Sequence, residues 1–249
     1  MLSFIGVLIL GFFLGMRHAT DPDHVIAVMT IVTRQRGIGK AGVIGALWGV
    51  GHTLTIFLVG ASIILFKVVI PPRLGLSMEF AVGLMLILLG VLNLTGVLRW
   101  LQMRFTPSMV MPVIEEATSE VAPVVGGNWV DRNLRELGIY NALRPLLIGT
   151  VHGLAGSAAV TILVMTTISD SLWAVAYLLL FGLGTVAGMA AMTTAMALPI
   201  ACTGRRFFRW NQAITVGSGL LSVAFGLFIS FQIGVGGGLF SGNPHWMPR

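Results

Sequence analysis

The chain has 249 residues, of which 56% are hydrophobic and only 10% are charged. Soluble domains carry about 25% charged residues, so the composition excludes a disordered protein and most soluble enzymes and indicates a polytopic helical membrane protein. The single cysteine excludes an internal disulfide and a cysteine-based zinc site. We interpret the net charge of +6 as a sign of membrane topology rather than of nucleic-acid binding, because basic residues collect on the cytoplasmic side of membrane proteins.

Six apolar segments predict an all-α protein with six transmembrane helices. A bilayer core needs about 20 apolar residues per helix, and each segment reaches that length. In chain order they are residues 2–32, which a polar stretch interrupts, 41–69, 76–100, 145–169, 172–200 and 213–240. The apolar start lacks the positive charge of a signal peptide, so we expect it to be retained as a membrane helix.

The basic residues predict the orientation of these spans. They collect in the connections after the first, third and fifth segments, as Arg34, Arg36, Lys40, Arg99, Arg104, Arg132, Arg135, Arg144, Arg205, Arg206 and Arg209, whereas the opposite side has only Lys67, Arg73 and Arg249. This bias places the polar connection of residues 101–144 in the cytoplasm and both termini outside. A bacterial-type inner membrane is the expected location.

The two halves of the chain, residues 1–100 and 145–249, resemble each other weakly. The sequence Trp48-Gly-Val-Gly-His52 aligns with Phe181-Gly-Leu-Gly-Thr185. The offset is 133–136 residues throughout, and it also pairs His18 with His152, Met29 with Met165 and Gly83 with Gly217. Three spans per half would make the halves enter the membrane from opposite sides. The pattern therefore predicts two inverted three-helix repeats, a plan of many secondary transporters, whose binding sites lie between the repeats.

The polar stretch that interrupts the first span, residues 17–24, is the strongest candidate site. Charged groups inside a span are costly and usually functional, and two imidazoles with two carboxylates suit a divalent transition metal. On an unbroken helix, His18 and His24 would point about 240° apart. Pro22 breaks the helix, because it lacks an N–H and clashes with the preceding turn. We therefore expect a broken first helix in which His18, Asp23 and His24 surround one ion.

Two charged neighbours in this stretch are expected to support the ligands rather than to bind the ion. Arg17 opposes a cation by its charge, and we expect it to pair with Asp21, four residues later, or with a peptide carbonyl. Asp21 would then orient a ligand. The alternative interpretation is that the whole stretch is a hydrated turn between two short helices.

His52 in the second span and His152 in the fourth are further candidate ligands. Each has a glycine next to it, which permits close approach of another helix. The alternative for each is an imidazole that only forms a hydrogen bond to a neighbouring helix. Near His152, Ser157 is expected to contribute to a polar lining around the site.

Enzyme signatures are missing from the sequence. It has no Gly-x-x-x-x-Gly-Lys-Ser/Thr phosphate loop and no Gly-x-Ser-x-Gly nucleophile motif. A membrane metalloenzyme with several histidine-rich boxes would need more intramembrane histidines than the chain supplies. We therefore expect no enzyme and no organic cofactor.

The motif His18-Ala-Thr-Asp-Pro-Asp23-His24, with Gly15-Met-Arg17 before it and Val25-Ile-Ala after it, closely resembles the His-x4-Asp-His signature of the nickel/cobalt transporter (NiCoT) family. Gly51-His52-Thr53 resembles the second motif of that family. The second half departs from the family, since Ile148-Gly-Thr-Val-His-Gly-Leu-Ala-Gly-Ser157 replaces an acidic motif. With six spans instead of eight, the chain is similar to a shorter branch associated with urease accessory proteins.

The resemblance implies uptake of Ni²⁺, or of Co²⁺, into the cytoplasm as a transported substrate. It implies metal ligation by His18, Asp23, His24 and His52. A cytoplasmic metal chaperone, or a urease or hydrogenase maturation system, is then an expected partner. The alternative function is export of a metal ion, or of a small organic or sulfur-containing solute, by the same fold.

Overall fold

A computed structural model describes residues 2–33, 37–67, 70–95, 142–155, 168, 170–203, 208–241 and 244–246. Within these ranges every regular element is a helix and no strand occurs. Most of the predicted cytoplasmic connection, together with Ser157, lies outside the described residues.

The helices follow the predicted apolar segments as far as these are described, and of the predicted segment 145–169 only residues 145–155 and 168 are described. The helices are α1 (Leu2–His18), α2 (Pro22–Val32), α3 (Ile38–Phe66), α4 (Pro72–Thr95), α5 (residues 142–155), α6 (Ser171–Thr203) and α7 (Phe208–Phe231), and α7 ends in a π-helical turn at Gln232–Gly236. Four helical stretches are long and apolar enough to cross a bilayer, and they are Ile38–Phe66, Pro72–Thr95, Ser171–Pro199 and Gln212–Gly236. Two shorter apolar helices, Ile5–His18 and Pro22–Val32, precede them.

The predicted break in the first span is confirmed, and it falls between α1 and α2. The backbone N–H of Thr20 donates to the carbonyl of Arg17 at 2.8 Å, and that of Asp21 donates to His18 at 3.1 Å, so the chain tightens into a turn. Asp21 is extended, with φ −62° and ψ 146°, because the ring of a following proline disfavours α geometry. Pro22 then starts α2 in the first turn, where its missing N–H removes no intrahelical bond.

The outer faces of the helices are apolar. Leu58 on α3, Leu88 on α4, Leu183 on α6 and Leu220 on α7 are each more than 45% exposed. Large exposed apolar surfaces on several sides of a soluble monomer are rare. Together with the four long apolar helices, these faces identify a membrane protein.

Two pairs of helices, α1 with α6 and α3 with α5, come into backbone contact at a glycine. A Cβ on Gly15 of α1 would collide with the carbonyl oxygen of Phe181 in α6, and one on Gly149 of α5 would collide with that of Trp48 in α3. Both contacts join the two halves of the chain, and their members are related by sequence offsets of 134 residues (Gly15 and Gly149) and 133 residues (Trp48 and Phe181). The helices that carry the candidate site are therefore held at backbone contact.

Candidate metal centre

The helix break and the glycine contacts bring four histidines together. His18 lies at the end of α1, His24 in the first turn of α2, His52 in the middle of α3 and His152 in α5. The ring centroid of His24 lies 4.7 Å from that of His18, 5.0 Å from that of His52 and 4.2 Å from that of His152. Residues that are up to 134 positions apart in the sequence thus share one centre.

His18 and His52 face each other with the spacing of two ligands of one ion. Their Nε2 atoms are 3.1 Å apart. Imidazole nitrogens that bind Zn²⁺ at about 2.0–2.1 Å are separated from each other by roughly 3 Å in tetrahedral or octahedral geometry. His18 donates through Nδ1 to Asp21 Oδ2 at 2.7 Å, because a carboxylate can only accept. A neutral His18 ring therefore presents the lone pair of Nε2 toward the centre, where it accepts a hydrogen bond from His52 Nε2.

Asp23 joins the second half of the chain to the first. Its Oδ1 accepts from the backbone N–H of His24 at 2.9 Å and from His24 Nδ1 at 3.0 Å. Its Oδ2 accepts from His152 Nε2 at 2.8 Å. One carboxylate thus fixes the orientation of two imidazoles from different halves, as carboxylates do behind metal-binding histidines.

Three buried imidazole nitrogens point at no hydrogen-bond partner. The histidines His24, His52 and His152 are 1%, 0% and 1% exposed. Within the described part of the chain, His24 Nε2, His52 Nδ1 and His152 Nδ1 have no hydrogen-bond partner. Buried polar atoms are nearly always satisfied, and each exception needs a reason such as a bound ion or water. Neutral imidazoles with free lone pairs are suited to hold a transition-metal cation.

Glycines explain how α3 and α5 come close enough for this arrangement. A Cβ on Gly51 would collide with the carbonyl oxygen of Leu146, and one on Gly153 would lie 2.5 Å from that of His52. Any other residue at these positions would push the two helices apart. The two glycines therefore set the 5.9 Å separation between the rings of His52 and His152.

Two aromatic side chains that the sequence did not single out as site residues line the centre. The ring of Trp48 lies 5.7 Å from the rings of both His24 and His152, and that of Phe181 lies 5.5 Å from His18. The signal was available, because Trp48 precedes His52 by four residues and so lies on the same helix face. These rings exclude water from two sides of the centre.

The structure brings together His18, Asp23, His24, His52 and His152, and it differs from the expectation at Arg17. Asp21 contacts His18, and no ion pair joins it to Arg17 in the described residues. The reason is that α1 ends at His18, so the spacing of four residues that would align Arg17 with Asp21 on a helix does not exist here. Ser157 lies outside the described residues. His245, in the C-terminal tail, is exposed and is not part of the centre.

We predict that Asp21→Ala weakens metal binding without unfolding the protein. The substitution removes the acceptor that orients His18, and loss of such a partner typically lowers metal affinity about 10–100-fold. Calorimetric titration of the purified protein with Ni²⁺ measures the effect. Thr20→Ala is the matched control, because it removes a hydrogen bond from the same turn without touching an imidazole. Equal affinities for the two variants would show that Asp21 does not position a ligand.

Two known proteins are similar to the chain over most of its length. It is 35% identical over 239 residues to the urease accessory protein UreH of Bacillus sp. (strain TB-90), and the match covers 95% of each chain. It is 25% identical over 229 residues to the chloroplast protein FOR GROWTH AND FERTILITY 2 of Arabidopsis thaliana, and it spans about half of that protein, 54%. No family model matches the chain, and no solved structure matches it.

Proposed function

We propose a function for this protein from the family to which it belongs, since the chain is a member of the family of the urease accessory protein UreH. The proposed function is transport of a transition-metal dication across a membrane. Nickel is the first candidate substrate and cobalt the second. The observation that carries the proposal is the convergence of four imidazoles and a carboxylate on one buried centre. Such groups are expensive inside a membrane and are kept there for a function.

The chemistry of the donor set favours this class of ion. Imidazole suits Ni²⁺, Co²⁺, Cu²⁺ and Zn²⁺, whereas Mg²⁺ and Ca²⁺ prefer oxygen ligands. We assign metal ligation to His18, Asp23, His24, His52 and His152. Asp21 orients His18, and Arg17 and Ser157 are assigned to the surroundings of the ligands.

The proposed architecture is a pair of inverted three-helix repeats in six spans. It is supported by the matching contacts of Gly15 with Phe181 and of Gly149 with Trp48, because a two-fold relation between halves generates such pairs. The metal centre then lies between the repeats, as in other secondary transporters. The distribution of basic residues supports both termini outside and a cytoplasmic connection at 101–144, in a bacterial-type inner membrane.

The name of the UreH relative points to urease, and the donor set of the centre suits nickel. We therefore propose a short member of the NiCoT family that imports Ni²⁺ and passes it to a cytoplasmic metal chaperone or to a urease or hydrogenase maturation system. The chain itself carries out no covalent chemistry. Export of a metal ion, or of a small organic or sulfur-containing solute, is the alternative that the transport test separates.

We predict that the protein carries ⁶³Ni²⁺ across a membrane. Proteoliposomes of defined orientation should accumulate the label only when it is added to the face that carries the termini, and His52→Ala should reduce the rate to that of protein-free vesicles. His245→Ala, which removes a histidine outside the centre, should transport like the parent. Accumulation only from the opposite face would identify an exporter, and no accumulation of Ni²⁺ or Co²⁺ from either face would reject metal transport.

A further inference from the structure

The five proposed ligands divide into two groups that share one member. His18, His24 and His52 have ligand atoms that all lie within 4.8 Å of one another, and so do Asp23, His24 and His152. The first group offers three nitrogens, and the second offers two nitrogens and a carboxylate oxygen. Each group alone supplies the three protein ligands that an ion with open coordination positions requires.

We propose that these groups are two adjoining ion positions, which share His24 and are occupied in turn. The all-nitrogen group of His18, His24 and His52 is called the first position, and the group of Asp23, His24 and His152 the second position. The inference rests on the proposed function, because it concerns how a transported ion passes through the centre.

The two nitrogens of His24 support a shared role. Its Nδ1 lies 3.0 Å from Asp23 Oδ1, within the second position. Its Nε2 is buried and has no partner among the described residues. A neutral imidazole has one nitrogen with a free lone pair, so His24 binds an ion through Nε2 while Nδ1 keeps its proton for Asp23, or through Nδ1 in the other tautomer, and not through both at once. Two dications held by one imidazole would repel each other strongly in a medium of low dielectric constant, so the positions fill one at a time.

Each position also has its own accessible member. In the first position the side chain of His18 is 17% exposed, and in the second that of Asp23 is 28% exposed, whereas the side chain of His24 between them is 2% exposed. An ion can therefore be captured or released at either position without passing into the other. His24, the ligand that both positions share, is buried between them.

The first position takes all three of its ligands from the first half of the chain, whereas the second position takes His152 from the second half. His18 ends α1 of the first half, and its counterpart at the repeat offset, His152, lies in α5 of the second half. If the halves move against each other, the ligands of the two positions separate differently. Movement of the halves would then transfer the ion from one position to the other.

Cobalt spectroscopy on the full-length protein tests the inference, because the visible bands of Co²⁺ report the identity and geometry of its ligands. His152→Ala should leave the first position and give a three-nitrogen spectrum. His18→Ala should leave the second position and give a different spectrum. The double variant His18→Ala, Asp23→Asn should show a further change in the Co²⁺ bands. Each single variant should retain Co²⁺ binding within about 100-fold of the parent, comparable with loss of one supporting group, and each should lose transport. His24→Ala should lose binding altogether, and His245→Ala should match the parent.

The outcomes separate this inference from the proposed function. Identical spectra for His18→Ala and His152→Ala, or complete loss of binding in either one, would overturn the two positions in favour of a single five-ligand site. Transport by the parent would then still stand. Absence of Co²⁺ and Ni²⁺ binding by the parent would overturn both. Size-exclusion profiles of the variants that match the parent exclude misfolding as the cause, and His18→Gln and His152→Gln replace any alanine variant whose profile does not.

Discussion

The His24→Ala variant is expected to lose Ni²⁺ binding by more than the 10–100-fold that removal of a supporting group typically produces, and to lose transport with it. His24 is the only residue that belongs to both candidate ligand groups in the described part of the chain. Its removal leaves two pairs of ligands and no group of three. Calorimetric titration with Ni²⁺ and ⁶³Ni²⁺ uptake into proteoliposomes measure the two losses.

Controls separate the loss of a ligand from damage to the fold. His24 is 1% exposed, so alanine leaves a cavity and removes one of the partners of Asp23. His24→Gln fills most of that space and keeps an amide for the carboxylate, and it should bind Ni²⁺ as poorly as His24→Ala. His245→Ala should behave like the parent. Affinity of the glutamine variant equal to that of the parent would exclude His24 as a ligand.

The Gly184→Ala substitution is expected to lower the stability of the folded protein. Gly184 lies in α6 against α1, where an added Cβ would collide with the carbonyl oxygen of Phe12 and lie 2.8 Å from its carbonyl carbon. Backbone atoms, unlike those of a flexible side chain, cannot relieve the collision by a change of rotamer. Overpacking typically costs about 1–3 kcal/mol and occasionally more, and we expect a value at or above the upper end of that range. A loss of stability of this size should appear as a clearly lower Tm of the variant in detergent.

Gly217→Ala provides the matched control for this effect. Gly217 also lies inside a membrane helix, α7, and an added Cβ would meet nothing within 4 Å among the described residues. The substitution should leave Tm and transport unchanged. Equal Tm values for the two variants would mean that α1 and α6 are not in backbone contact, and the placement of His18 beside His52 would lose its support.

Much of the centre was predictable from the sequence because its main determinants are local. Pro22 cannot continue a helix from α1, so the break and the change of direction between His18 and His24 follow from one residue. The roles of the glycines beside His52 and His152 followed from their lack of a side chain. The sequence could therefore nominate all five candidate ligands before their distances were known.

An ion pair with Asp21, one of the two partners expected for Arg17, is not seen among the described residues, because this pairing depends on where α1 ends. Helical spacing paired Asp21 with Arg17, whereas the helix stops at His18 and the turn brings the carboxylate to that imidazole instead. Element ends are set by competition between the last turn and the connection, and sequence patterns locate them only within one or two residues.

The register of the last helix pair is a second feature that sequence comparison located only approximately. The repeat aligned Gly83 with Gly217, yet Gly83 of α4 approaches Gly226 of α7, and Gly90 approaches Gly219. If the halves are the proposed inverted repeats, these reciprocal contacts pair Gly83 with Gly219 and Gly90 with Gly226, an offset two residues larger than that of Gly83 and Gly217. Apolar glycine-containing helices offer several similar alignments, and side-chain packing selects one of them.

X-ray absorption of the Ni²⁺-loaded protein shows directly whether the buried histidines hold the ion. We expect one bound Ni²⁺ per chain, nitrogen and oxygen neighbours, and the multiple-scattering signature of at least two imidazoles, which His24→Ala abolishes. A protein that binds no Ni²⁺, or that binds it with oxygen ligands alone and without imidazole scattering, would contradict the assignment of these buried histidines to a metal pathway.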